Sequence, residues 1–279
     1  MHCAKTRFPK RVYCLHYDDN RDFDECCQIE FRFNQMVKPA NERFRVAGIC
    51  DGLVCLADDE LCKAFNYIIW NPAIRKEVML PLPVMTNDYK VVRFVAPQST
   101  PAVAGVYSLA TGSWRSLGSV VPHCQIHVAI PYAFIDGAIH CTVRKEAADD
   151  YCYFILTFDL GRESFREIMM PKGTEQHYKP KVSVSGDGKS LALFTGYRKD
   201  DIYYVDIWLM KEYCQEESGT KLITLGPQGP ERWLQPHPLC FRKSGEVFLA
   251  LIGFESRSLV SLDTQSQKFN NLGVRLILT

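Results

Sequence analysis

Apolar and polar residues alternate at every second position in short runs along most of this chain, and the runs are separated by Gly, Asp, Ser and Asn. A period of two is that of half-buried strands, and no helical periodicity longer than two turns interrupts it. One pattern recurs: a β-branched or aromatic strand, a polar turn, then an aromatic or aliphatic residue opening a second strand. The clearest copies are VYSLATGSWRSL from Val106 and TFDLGRESFREI from Thr157, in which Tyr107 precedes Trp114, and Phe158 precedes Phe165, by seven positions. Leu262 and Phe269 repeat that interval in VSLDTQSQKFNNL. Weaker copies bring the count to six, anchored at Tyr17, Trp70, Tyr107, Phe158, Ile207 and Leu262, with separations of 53, 37, 51, 49 and 55 residues. A further alternating strand lies upstream of most copies, entered through the turn pairs of CDGLVCLAD, IDGAIHCTV, SGDGKSLALFTG and KSGEVFLALIG. Asp-Gly and Ser-Gly supply the positive φ that tight hairpins need. Each repeat therefore reads as an antiparallel sheet of up to four strands. The expectation is an all-β, degenerate kelch-like β-propeller of about six blades, filling residues 1–279 as a single domain. A two-sheet sandwich accounts for the strands but not for the repeat.

Composition narrows the function classes. Lys and Arg number 33 against 32 Asp and Glu, so no basic field is present to draw nucleic acid by counterion release. Tyr153 to Leu160, among the most apolar segments, is only strand-length, so no membrane partner is expected. The first residues, MHCAKTRFPKRVYCLHYDD, lack the apolar stretch of a secretory signal. The 12 cysteines are scattered through apolar strands (Cys14, Cys55, Cys141, Cys152, Cys240), which predicts reduced core thiols in the cytoplasm or nucleus.

No residue group forms a persuasive catalytic, cofactor or metal site. His123, Cys124 and His127 lie close together but have no second cluster at structural-zinc spacing, so they read as loop and strand residues. SGDGKS, from Ser185 to Ser190, lacks the spacing of a sialidase Asp-box and reads as a hairpin turn at Asp187 and Gly188. The carboxylate pairs Asp58 with Asp59, Asp149 with Asp150, and Asp200 with Asp201 are adjacent residues expected in polar loops, where neither member gains the raised pKa of a general acid. Phosphate loop, serine elbow and Cys-His dyad signatures are absent. Trp70, Tyr107, Trp114, Phe165 and Trp208 occupy equivalent or near-equivalent repeat positions and are expected in the core between blades.

Several of the same segments resemble, in order, the blocks of the plant F-box-associated interaction domain: GICDGLVCLADD from Gly48, YIIWNPAIRKEVMLPLP from Tyr67, TNDYKVVRFV from Thr86, VYSLATGSWRSL, FDLGRESFREIMMP from Phe158 and IWLMKEYCQEESGTKLITL from Ile207. The resemblance covers nearly the whole chain. It implies the substrate-recognition part of an SCF-type cullin-RING ubiquitin ligase, binding a target protein, with a Skp-type adaptor held only through an upstream F-box. Nothing before Arg11 resembles that F-box; PLPVM runs directly into Thr86 where relatives carry another strand; and the chain stops at VRLILT where relatives continue. One blade is thus expected to lack its first strand, with the ring left unclosed. A non-ligase scaffold or decoy is the alternative, and a propeller hydrolase a remote one.

In such a blade the loops between strands two and three, and those between blades, share a face. The first class is assigned to residues 57–66, 96–104, 144–150, 196–201 and 253–257, and the second to 119–127, 171–180 and 226–238. Loops on a rigid scaffold commonly carry recognition. The candidate partner-binding residues on them are Tyr178, Tyr197, Arg198, Arg232, Trp233 and His237.

Overall fold

The computed structural model describes residues 13–16, 25–29, 45–50, 52–60, 63–72, 76–79, 88–95, 103–119, 124–126, 132–146, 151–174, 178–210, 219–228, 234–253 and 257–275. Every regular element among them is a strand. A hairpin of β1 (Tyr13–His16) and β2 (Glu25–Ile29) precedes five antiparallel sheets. Sheet 1 is β3 (Arg45–Cys50), β4 (Leu53–Glu60), β5 (Lys63–Asn71) and β6 (Lys76–Met79). Sheet 2 has three strands, β7 (Lys90–Val95), β8 (Val103–Ser108) and β9 (Ser113–Ser119). In sheet 3 the first place is shared by β10 (Cys124–Ile126) and β11 (Ala133–Ile135), both paired with β12 (Ala138–Glu146), which continues to β13 (Tyr151–Asp159) and β14 (Ser164–Met169). Sheet 4 is β15 (Tyr178–Val184), β16 (Leu191–Lys199), β17 (Ile202–Met210) and β18 (Gly219–Leu225). Sheet 5 is β19 (Gln235–Phe241), β20 (Val247–Ile252), β21 (Arg257–Asp263) and β22 (Lys268–Arg275).

Among the described residues the propeller therefore has five blades, not the six that the sequence copies suggest. Four anchors, Trp70, Phe158, Ile207 and Leu262, fall on the third strand of a full sheet and Tyr107 falls on its equivalent in sheet 2, whereas Tyr17 lies outside the described residues, which give only the β1–β2 hairpin around it. Two strands present too little apolar face to make a blade.

The seven-residue interval is the register of one hairpin. Tyr107 lies directly opposite Trp114, Phe158 opposite Phe165, and Leu262 opposite Phe269. The rings of the first two pairs are 5.3 and 4.8 Å apart, both tilted, the aromatic arrangement favoured across a strand pair. Each hairpin turns through four residues, the last in left-handed conformation: Gly112, Glu163 and Gln267 at φ 63°, 52° and 57°.

Alternation along the strands gives sheets 3 and 4 two apolar faces each, and sheets 2 to 5 bury apolar faces against one another in order. Ala104, Phe94 and Leu117 of sheet 2 pack on Cys141, Val143, Phe154, Leu156 and Phe165 of sheet 3. Ile155 and Ile168, on the other face of sheet 3, meet Val182, Leu191, Leu193, Trp208 and Met210 of sheet 4. Phe194, Ile207, Ile223 and Leu225 on the far face of sheet 4 meet Val247, Leu249, Leu251, Val260 and Leu262 of sheet 5. Trp70, Tyr107 and Trp208 are buried and Phe165 is half-buried, whereas Trp114 is 44% exposed. The Trp114 side chain is on outermost strand β9, lying over Gly105 and Tyr107. None of the four cysteines with described side chains is in a disulfide; Cys141 is buried and Cys55 half-buried, but Cys152 and Cys240 are exposed, one near the start of β13 and the other beside a bulge.

Candidate protein-interaction face

In an antiparallel blade the start of strand one, the end of strand two, the start of strand three and the end of strand four share an edge. Successive sheets are aligned in this respect. Tyr203, at the start of β17, stacks on His237 of β19 with centroids 5.7 Å apart. At the opposite edge, Gly186 in the β15–β16 turn touches Gly245 in the β19–β20 turn, and Lys90 Nζ donates to Leu160 O and Glu163 Oε1 in the β13–β14 turn, each at 2.9 Å. One face of the propeller is thus made of tight turns and the other of long-hairpin tips and inter-blade connections.

On the tight-turn face three Asp side chains are taken up in capping their own turns. The Asp159 carboxylate accepts from the backbone N–H of Gly161 and Arg162, Asp187 from Ser185 Oγ and Lys189 N, and Asp263 from Gln265 N and Ser266 Oγ. Those hydrogen bonds, led by Arg162 N–H, Ser185 O–H and Ser266 O–H respectively, hold all three carboxyls below the usual Asp range. They cap turns as charged groups. Among the described residues no group of His, Cys, Asp or Glu has the arrangement of a metal site. Cys124 lies on β10, while His123 and His127 are outside the described residues. The Ser185–Ser190 segment is the expected hairpin turn, with Gly188 at φ 72°.

The opposite face carries a rim of aromatic and cationic side chains on sheets 3 to 5. Tyr197, near the end of β16, is paired with and stacked on Tyr204 of β17 at 5.5 Å. Beneath this pair the buried Asp206 carboxylate holds Lys221 Nζ at 2.7 Å and the Thr224 hydroxyl at 2.5 Å, and Trp208 Nε1–H donates to Thr195 Oγ1. Burial first, then the Asp206 charge, push the Tyr197 phenol above its ordinary pKa, so it stays protonated as a donor. Tyr203 and Tyr204 each lie over a glycine: a Cβ at Gly196 would stand 2.6 Å from Tyr203 Oη, and one at Gly226 would stand 3.2 Å from Tyr204 Cε1. On sheet 3 the Arg144 guanidinium covers the Tyr151 ring at 4.0 Å.

Of the sequence candidates, the structure brings Tyr197, Arg198 and His237 to this face. Tyr197 is half-buried, Arg198 is exposed at the end of β16, and His237 is half-buried against Tyr203. Tyr178 begins β15 at the same edge, and Arg232 and Trp233 lie outside the described residues. Tyr203, Tyr204, Arg144, Tyr151 and Asp206 were not singled out from sequence. The adjacent tyrosines of DIYYVD, with a Gly one strand away on either side, were the available signal.

Several expected loops are ladder instead. Residues 196–201 form a hairpin in which Lys199 pairs with Ile202 and Asp200 and Asp201 make the turn, both left-handed. Likewise Glu60 pairs with Lys63, Glu146 with Tyr151, and Ile252 with Arg257. Asp58 and Asp59 therefore sit on β4, not in a loop. In the second class, β10 lies within 119–127, β15 begins at Tyr178, and β19 begins at Gln235 after a Gln228–Leu234 bridge. Backbone hydrogen bonding thus extends the long hairpins of sheets 1, 3, 4 and 5 nearly to their tips, so among the described residues the rim is made mainly of strand ends with fixed geometry.

A puromycin-hydrolyzing peptidase of Mycobacterium tuberculosis superposes with a TM-score of 0.49 at 13% identity, over 83% of this chain and 47% of that one, a likeness too slight to carry an argument. The sequence is similar to F-box protein CPR1 of Arabidopsis thaliana, 25% identical over 211 residues, covering 68% of this chain and 50% of that protein. It is also similar to F-box protein At3g07870 of the same plant, 26% identical over 316 residues, covering 92% of this chain and 72% of that protein. The chain thus spans half the length of the first relative. The profile of the F-box associated beta propeller domain matches residues 84–268, which comprise nearly all of sheets 2 to 5, and the chain belongs to that family.

Proposed function

We propose that this chain is the substrate-recognition part of an SCF-type cullin-RING ubiquitin ligase, selecting a target protein and doing no bond-making of its own. Its membership of the F-box associated propeller family carries this reading, and the relatives it matches are F-box proteins. The tyrosine-rich rim suits the role: Tyr and Arg supply large contact area at low entropic cost, and here stacking and glycine seats hold the rings in place before a partner arrives. The setting would be cytoplasm or nucleus, with a Skp-type adaptor bound through an F-box on the same polypeptide.

The test is proximity labelling in plant cells with the chain joined to an F-box, followed by reconstituted ubiquitination of the labelled proteins. A target whose adaptor-dependent ubiquitination falls at least about tenfold with Tyr197→Ala and Tyr203→Ala supports the proposal, that factor being the loss of one modest hot spot. Targets bound but never ubiquitinated would favour a scaffold or decoy, and target binding indifferent to both substitutions would overturn the rim as the recognition face.

A further inference from the structure

Sheet 2 differs from the other four in one respect. Its strands correspond to strands two, three and four of the other blades, since Tyr107 on β8 is the equivalent of Trp70, Phe158, Ile207 and Leu262 on third strands. The first-strand place beside β7 holds no paired strand among the described residues.

The side chains of β7 are also less buried than those of the equivalent strands. Lys90, Val91, Val92, Arg93 and Phe94 are all half-buried, whereas on the equivalent β16 every residue from Leu191 to Gly196 is buried, and on β12 Cys141, Thr142 and Val143 are. Leu109 N–H donates to Tyr89 O at 3.0 Å, which places the hydrogen-bonded pairs of this ladder at Val91 with Tyr107 and Arg93 with Gly105. Alternation then turns the N–H and C=O groups of Lys90, Val92 and Phe94 to the other, unpaired edge. A free edge of this kind is a template for strand addition.

The flanking side chains specify what fits. Phe94 lies on the face toward sheet 3, stacked on Tyr132 at 6.2 Å and tilted against Phe165. Arg93 lies on the other face and, although half-buried, makes no ion pair or side-chain hydrogen bond among the described residues. We infer that the inner edge of β7 is a docking edge for an extended segment of a partner protein in which apolar and acidic residues alternate. The apolar side chains would cover Val92 and Phe94, and an acidic one would pair with Arg93. This site is separate from the tyrosine rim and does not rest on its role.

The same features have a plainer reading, in which Arg93 and Lys90 guard the edge against pairing. A fluorescein-labelled hexapeptide alternating valine and glutamate decides between them, tested on the full chain by anisotropy and by amide hydrogen exchange. Binding that slows exchange of Val92 and Phe94 is expected, with about tenfold weaker binding, the factor given by 1.4 kcal/mol, for a valine–lysine hexapeptide and for a valine–glutamate peptide N-methylated at its pairing amides. Arg93→Glu should reverse the charge preference, Val92→Pro should abolish binding, and Tyr203→Ala should leave it unchanged. Should Val92→Pro fail to fold, the N-methylated peptide on the unsubstituted chain makes the same comparison. Unchanged exchange at Val92 and Phe94, or equal affinity for the N-methylated peptide, would overturn the inference in favour of a guarded edge.

Discussion

Close approach between neighbouring blades can depend on a single hydrogen atom. A Cβ on Gly186 would lie 2.6 Å from both Arg242 O and Gly245 Cα, and 2.7 Å from Gly245 N, all backbone atoms of the next sheet's turn. Backbone cannot swing aside as a side chain does, so Gly186→Ala should cost roughly 1–3 kcal/mol in urea unfolding. Gly161→Ala, whose Cβ would meet only the Asp159 carboxylate at 3.3 Å, should cost far less. His140 is a second sensitive position. It is fully buried on β12, with Nδ1 3.2 Å from Ala133 O, and burial lowers its pKa to about 4, partly opposed by that hydrogen bond and by the Asp136 charge. Its folded-state pKa lies below its ordinary value of 6.5, so the unfolded chain binds more protons between those two pH values. The stability it contributes is present above pH 6.5 and is lost as pH falls toward 4, about 3 kcal/mol in all. Urea midpoints measured from pH 7.5 to 5 should fall less steeply in His140→Gln; an identical slope would mean that another group carries the dependence.

The element best written in the sequence is the hairpin between third and fourth strands. Its seven-residue interval is a direct cross-strand pair in both clear aromatic copies and in the Leu262–Phe269 repeat, because a four-residue turn fixes the register. What alternation could not show is how far a ladder continues into polar residues. Arg198, Lys199 and Ile202 pair across a two-residue turn although their sequence reads as loop, because Asp tolerates the left-handed conformation that both Asp200 and Asp201 adopt. The rim was only half legible for the same reason: Tyr197, Arg198 and His237 were found by residue type, but the stacks on Tyr204 and Tyr203 join residues through strand register and across blades. The shared turn also makes a prediction. Gly112 takes the left-handed last position in one copy, and the exposed Gln267 holds it in another at φ 57°. A non-glycine residue there bears a steric cost of roughly 1 kcal/mol, which Gly removes at some expense in unfolded-state entropy. Gln267→Gly should therefore hold or raise the melting temperature, whereas Gln265→Gly, where no such strain exists, should lower it slightly.

At the scale of the whole molecule, sheet 4 is the link that makes neighbouring blades one cooperative unit. Leu193 and Phe194 are consecutive residues on β16, yet the first packs against sheet 3 and the second against sheet 5. Loss of either neighbour exposes a complete apolar face of sheet 4, so the blades cannot easily come apart one at a time, even though each touches mainly its neighbours as in a repeat array. The consequence is testable at Ile155, fully buried between sheets 3 and 4, and at Leu249, fully buried between sheets 4 and 5. Each change to Ala should cost about 2–5 kcal/mol, a large part of the roughly 5–15 kcal/mol that stabilises a domain. The two sites share no contact cluster, so the costs should add to within about 0.5 kcal/mol in the double variant. If sheet 4 couples its neighbours, far-ultraviolet circular dichroism and hydrogen exchange read on β13, β16 and β20 should report one coincident urea transition in the unsubstituted chain and in Ile155→Ala alike. An early loss of protection on β13 while β20 stays protected would show that sheet 5 survives alone and that the coupling assigned to sheet 4 is absent.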